Sequence, residues 1–143
     1  MISVPETPLS DQQKDDIEKS DARNQALSEE TSKIKNEMDD IRQQAAALKH
    51  GGSKEDYHAL ADKLQQLKAD SAAAKSRFDS LGIPETQYSY GRVVNAGDWA
   101  DLASHDARQA GDASGDNEDV RAISHENMQR NLDNVDSEMH GTS

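Results

Sequence analysis

The side chains best suited to chemistry in this sequence are five histidines, at positions 50, 58, 105, 125 and 140, and adjacent carboxylates such as Asp15-Asp16 and Asp39-Asp40. A helical zinc site needs two histidines at i and i+4 with further ligands close by, and no pair among the five has that spacing. His50 and His58 flank a glycine pair and bear on its local charge. His105-Asp106 and His125-Glu126 are sequence neighbours whose side chains diverge on a helix, which suits solvated polar faces. Paired carboxylates perform acid–base chemistry across a cleft whose burial raises one pKa, and a helical hairpin offers no such cleft. The sequence also has no Gly-rich phosphate loop, no Gly-x-Ser-x-Gly elbow and no cysteine. The expectation is a non-enzymatic protein with no catalytic residues, no metal and no cofactor.

Composition points the same way. Hydrophobic residues make up 33% of the 143 positions and aromatic residues 3%, too few for a large globular core. Asp and Glu number 28 against 16 Lys and Arg, for a net charge of −12, which repels nucleic acid and anionic membranes. Direct nucleic-acid binding is therefore not expected. The excess is uneven: every lysine lies at or before Lys75, and beyond Gly82 the bases are Arg92, Arg108, Arg121 and Arg130. The first residues lack the basic and apolar regions of a Sec-type signal, and no apolar run approaches the ~18 residues that span a bilayer. No membrane insertion is expected, and the default compartment is the cytoplasm.

The elements that must carry this surface are legible in heptads. From Ile17 a 3-4 spacing runs through Ser20, Asn24, Leu27, Thr31, Ile34, Met38, Ile41, Ala45 and Leu48; a second runs Tyr57, Leu60, Leu64, Leu67, Ser71, Ala74, Phe78, Leu81. Ser10 with Gln13 and Ser53 with Asp56 form N-terminal capping boxes, Gly51-Gly52 ends the first helix, and Leu81-Gly82-Ile83-Pro84 fits a Schellman stop for the second. Folding back at the glycines pairs Leu48 with Tyr57, Ile41 with Leu64, Ile34 with Ser71 and Leu27 with Phe78, with a constant total of residue numbers. That constancy is what antiparallel partners require. The predicted fold is all-α: a long antiparallel two-helix coiled-coil hairpin over 10–82, with helices near 11–50 and 54–81, after a flexible N-terminus at 1–9. The rival packing, a parallel homodimer with Asn24 in its core, leaves the placement of the glycine pair a coincidence. The expected state is a monomer or weak homodimer.

The remainder is read as a lid segment over 83–110 and an acidic, partly disordered region over 111–143. Tyr88-Ser89-Tyr90-Gly91-Arg92-Val93-Val94 alternates like a short extended stretch, lying over the open end of the hairpin beside Ile17. Asp98 with Asp101 caps a short helix to about Gln109 that presents Trp99, Leu102, Ala103 and Ala107 on one side. Gly111 to Asp119 reads as a flexible linker, and a marginal amphipathic helix follows from Asp119 to Met139 with Val120, Ile123, Met128, Leu132 and Val135.

Such a chain suits protein–protein interaction: an adaptor, chaperone-like or assembly component that uses the hairpin as a rigid arm. Helical hairpins of this kind occur among bacterial secretion accessories and phage virion proteins, an analogy of architecture alone. The partner-binding residues expected are Trp99, Leu102, Tyr88 and Tyr90 in the lid segment, or His50, Glu55 and Tyr57 at the tip. Trp99 either packs against the hairpin or anchors a partner, since Trp is enriched in interface hot spots. The alternative is an acidic inhibitor that imitates nucleic acid and blocks a DNA-binding protein. Twelve bases between residues 10 and 82 interrupt the acidic stripe that this requires.

Overall fold

Ser10 and Ser53 each start a helix by the same device. The hydroxyl accepts from the backbone N–H three residues on, and that residue's side chain accepts from the serine N–H, with Gln13 and Asp56 as the reciprocating partners. In the computed structural model, which describes residues 10–48 and 52–140, these caps open α1 (Asp11–Ala47) and α2 (Lys54–Ser80). The stop after α2 is the Schellman motif expected. Gly82 takes φ 70°, and the Ile83 N–H donates to the Phe78 carbonyl at 2.9 Å. From α1, Arg23 Nε donates to the Leu81 carbonyl at 2.8 Å, placing a cation at the carboxyl end of α2. Gly51 and His50 lie outside the described residues.

α1 and α2 lie antiparallel, but of the expected α1 seam Ile17, Ser20 and Asn24 are exposed and Ala26 is buried instead. Ile34, Met38, Ile41 and Ala45 on α1 are buried, as are Tyr57, Leu60, Leu64, Leu67, Ser71, Ala74 and Phe78 on α2. Ion pairs from Lys63 to Asp40 at 3.0 Å and from Arg77 to Glu29 at 2.9 Å, on opposite halves of the seam, fix the antiparallel register.

The described residues form four helices, so the expected two-helix hairpin accounts for α1 and α2 alone. Residues 88–94, expected to be extended, open α3 (Tyr88–Ala113), whose N-cap is Gln87 rather than Asp98; α4 (Glu118–His140) follows. The described residues are 88% helical, in four helices and without strands. Gly111 lies within α3, so the expected linker shrinks to a turn closed by Gly115 at φ 86° and by Asn117, whose side chain accepts from the Val120 N–H. The C-terminal third is thus not a lid over the open end. It lies along the hairpin, while residues 11–21 of α1 project uncovered and Ile17 is 47% exposed.

What admits α3 is its lack of bulk. Val93, Ala96, Ala100, Ala103, Ala107 and Ala110 are buried, together with Gly97, Ser104 and Gly111 at seven-residue intervals. Those last three, with Tyr90, meet α2 in antiparallel register. Tyr90 packs at a tilt of 42° against Phe78, ring centres 5.5 Å apart, Gly97 opposes Ser71, Ser104 accepts from Gln65, and Gly111 opposes Tyr57. The Ser71 hydroxyl, buried, donates to the Val93 carbonyl at 2.7 Å. On its other side α3 takes α4, where Ser124, Met128, Leu132, Val135 and Met139 are buried and Ile123 is 60% exposed. Asn131 donates to Asp106 at 2.7 Å across that seam. Two pairs from Arg42, to Asp133 at 3.4 Å and Asp136 at 2.8 Å, tie α4 back to α1. The result is an up-down-up-down arrangement.

A Cβ on Gly97 would lie 2.6 Å from the Ser71 Cβ, an atom fixed to its backbone, so the helices would have to separate. Gly97→Ala is expected to destabilise by roughly 1–3 kcal/mol. Gly91→Ala, with nothing within 4 Å of the added methyl, should be neutral or stabilise by up to about 1 kcal/mol. Urea unfolding of the two variants checks the contrast, and equal effects would contradict the close α2–α3 seam.

Candidate functional site

Tyr88, Arg92, Asn95, Trp99, Leu102 and Asp106 recur at 4-3 spacing along α3 and so form one stripe. The stripe borders α4. Arg92 donates to Glu138 of α4 at 2.9 Å and, with its other nitrogen, to the Tyr88 hydroxyl at 2.9 Å. Its guanidinium also lies 4.8 Å from the centre of the Tyr88 ring. An aromatic face, a cation and a carboxylate are thus assembled at one end of the stripe. Hydrogen bonds donated to Glu138 and Tyr88 hold Arg92 above the ordinary guanidinium pKa.

Further along the stripe, Asn95, Asp98, Trp99 and Glu138 line a groove of about 280 Å³. Trp99 is part-buried against the core, and Leu102, beside it, is 48% exposed. Tyr88 is 55% exposed. Three of the residues expected to bind a partner therefore share one surface.

The others do not. Tyr90 is buried, with its hydroxyl donating to Asp79 at 2.6 Å, and that bond raises the phenol pKa. Tyr57 is wholly buried and forms a hydrogen bond of 2.9 Å with His125 Nδ1. Glu55 is exposed in the first turn of α2, on the far side of the molecule's length from Tyr88. His50 falls outside the described residues. The signal for Asn95 is its 4-3 spacing with Trp99, visible only once residues 88–113 form one helix, whereas Glu138 comes from α4 and has no signal of that kind.

Two further sets of titratable groups sit between helices. At the α1–α2 seam, Glu37 lies beside Asp70, and the buried Oε2 of Glu37 has no hydrogen-bond partner among the described residues. Desolvation and the neighbouring carboxylate push Glu37 up to about 8, while Glu37 as donor, Gln66 and Lys33 lower Asp70. Of the two carboxyls, Glu37 is the one that keeps its proton to the higher pH. Near the α2–α4 diagonal, burial and Arg121 hold His125 below the ordinary histidine pKa. Arg121 is itself paired with Glu118. No group of three His, Asp or Glu suited to a metal occurs among the described residues, and none of their helices is long and apolar enough to cross a membrane.

Comparison with known protein families, with curated proteins and with solved structures finds no match to this chain.

The two sets have opposite pH signatures. Glu37 has a folded pKa above its unfolded value of 4.5, so folding takes up a proton and this contribution falls as pH rises from about 4.5 to about 8. Glu37→Gln, which keeps a donor toward Asp70, should flatten that decline in thermal melts taken across the window; an unchanged slope would remove Glu37 as its source. His125 has a depressed folded pKa, so its contribution is present above the unfolded value of about 6.5 and is lost as pH falls through the lower folded one. His125→Gln should reduce the loss of stability between pH 6.5 and 5, measured by the same melts.

Proposed function

We propose that the chain is a non-enzymatic protein-binding module, an adaptor or assembly component, and that it engages its partner through the Tyr88–Leu102 stripe of α3. The observation that carries this reading is the coincidence, on one face of an otherwise charged molecule, of a part-buried Trp99 with the exposed Leu102 and Tyr88. A rigid aromatic ring seated at the edge of a core and flanked by exposed apolar area is the usual anchor of a protein interface. The residues lie on a helix fixed by close packing on both sides, so the surface is pre-organised and little ordering entropy opposes binding.

The projecting end of α1 supports the same reading. Its 37 residues span about 55 Å at 1.5 Å per residue, against 27 residues in α2. The projecting turns are held helical by the Ser10–Gln13 capping box and by i,i+4 contacts such as Lys19–Asp15 at 3.0 Å. Such an extension serves as a spacer. The nucleic-acid mimic is the weaker reading: Lys33, Lys63, Lys68, Arg77 and Arg108 lie among the carboxylates they pair with and break the acidic surface into patches.

The test is affinity capture from the native cells with the full chain and with Leu102→Ala. An interface on α3 should lose its partner by about tenfold when the exposed leucine is truncated. A mimic that binds through negative charge should keep its partner, because that variant leaves every carboxylate in place. Retention by the variant would remove the α3 stripe as the binding surface.

A further inference from the structure

Arg92 shows how this surface treats a guanidinium. It is held over an aromatic ring at 4.8 Å and against a carboxylate at 2.9 Å, both within the stripe that runs along α3. Farther along that stripe a ring and carboxylates recur with no cation over the ring, Glu138 being shared with Arg92 and Asp98 also bordering a cavity lined by Lys68 and Lys75. Trp99 offers the larger and more electron-rich ring, and the best cation–π acceptor among the side chains. Asp98 and Glu138 line the same groove, with the amide of Asn95 beside them. Asp98 is exposed and makes no ion pair or hydrogen bond with any described residue, and no described cation lies over the Trp99 ring. Glu138 meets Arg92 through Oε2, which leaves its second oxygen free of that contact. The groove, about 280 Å³ in volume, accommodates a side chain the size of arginine. Leu102, 48% exposed and one turn from Asp98, provides apolar surface for the methylene stem of such a side chain.

We propose that the groove formed by Trp99, Asp98, Asn95 and Glu138 is a binding site for a cationic side chain, and that the partner is a basic protein segment that inserts an arginine there. The proposal rests on the reading of α3 as the interface and supplies the chemistry of what binds it. Charge complementarity favours this occupant over others. The chain carries −12 overall, and residues 83–143 hold twelve acids against four bases, so an anionic segment or a phosphate backbone meets repulsion where an arginine-bearing segment is attracted. Arginine suits the site better than lysine because its planar guanidinium stacks on the indole while donating sideways to carboxylates.

Trp99 is the single tryptophan of the chain, so emission excited selectively at the indole, away from the tyrosine absorption, reads this groove. The probe is acetylated hexa-arginine amide added to the full-length protein at an ionic strength of about 0.15 M, with hexa-glutamate as the opposite-charge control. A saturable change in Trp99 emission is expected with the arginine peptide and none with the glutamate peptide. Asp98→Asn should weaken the arginine peptide about tenfold, whereas Asp116→Asn, which removes the same charge from the α3–α4 turn, should weaken it less than twofold. Far-UV circular dichroism confirms that both variants keep their helices. The proposal is overturned by the absence of a saturable emission change, or by a change that Asp98→Asn weakens no more than Asp116→Asn does, which would mean diffuse attraction to an acidic surface. In either case a partner lost on Leu102→Ala would still leave α3 as the interface, so the two ideas fail separately.

Discussion

The arrangement depends on how closely α2 and α3 approach. Gly97 against Ser71 and Gly111 against Tyr57 leave no room for a methyl group: a Cβ on Gly111 would sit 2.9 Å from the Tyr57 Cβ and 3.1 Å from the Lys54 carbonyl. Small residues release little energy through their own burial, since each removes only a few tens of square ångströms of apolar surface from water. Their contribution is indirect. By bringing two backbones together they place the larger side chains of neighbouring positions, Phe78, Tyr90, Leu64 and Val93, in dense contact, where many weak dispersion terms add. A chain with only 3% aromatic residues thereby obtains a continuous core from alanine and glycine.

That strategy explains which parts of the fold could be read from sequence. The α1–α2 hairpin announces itself through Ile34, Met38, Ile41, Leu60, Leu64 and Leu67, large residues at 3-4 spacing, and through glycine and serine punctuation at its ends. α3 carries the same periodicity in Val93, Ala96, Ala100, Ala103, Ala107 and Ala110, but a search for large apolar residues passes over alanine, which is equally common on solvated helix faces. Gly91, Gly97 and Gly111 then look like interruptions, although two of the three are the points of closest approach. The alternation Tyr88, Tyr90 resembles a strand because the two rings diverge, one onto the surface and one into the core. In α4 the departure is smaller. Ile123 belongs to the expected stripe yet faces solvent, and Ser124 takes the buried position beside it.

The same error hid the candidate site. Trp99 and Leu102 were conspicuous by residue type, but their company was not. With the helix started at residue 98, Tyr88, Arg92 and Asn95 belong to another element, and nothing relates them to Trp99. Once α3 begins at Tyr88, the spacing alone places all of them on one stripe, and the antiparallel return of α4 supplies Glu138 across the groove. Tyr57 and Tyr90 illustrate the opposite case. Each is a tyrosine near a helix start, suited to a surface role by composition, yet each fills a heptad position opposite a small residue or a ring, and its hydroxyl satisfies a group on another helix.

The helices are not held alike, and this has consequences for the projecting arm. α2, α3 and α4 interlock through small residues at short range, whereas α1 stands farther from α2 behind isoleucine, methionine and leucine side chains. α1 is also secured by cross-helix ion pairs, several of them largely exposed and individually weak. Within that looser seam sits the Glu37–Asp70 pair, which holds a proton at neutral pH against the cost of two adjacent carboxylates. Ionisation of Glu37 would place like charges across the α1–α2 contact. The projecting arm thus belongs to a helix that buries Ile34, Met38 and Ile41, while the α3 stripe is carried by a helix packed closely on both α2 and α4.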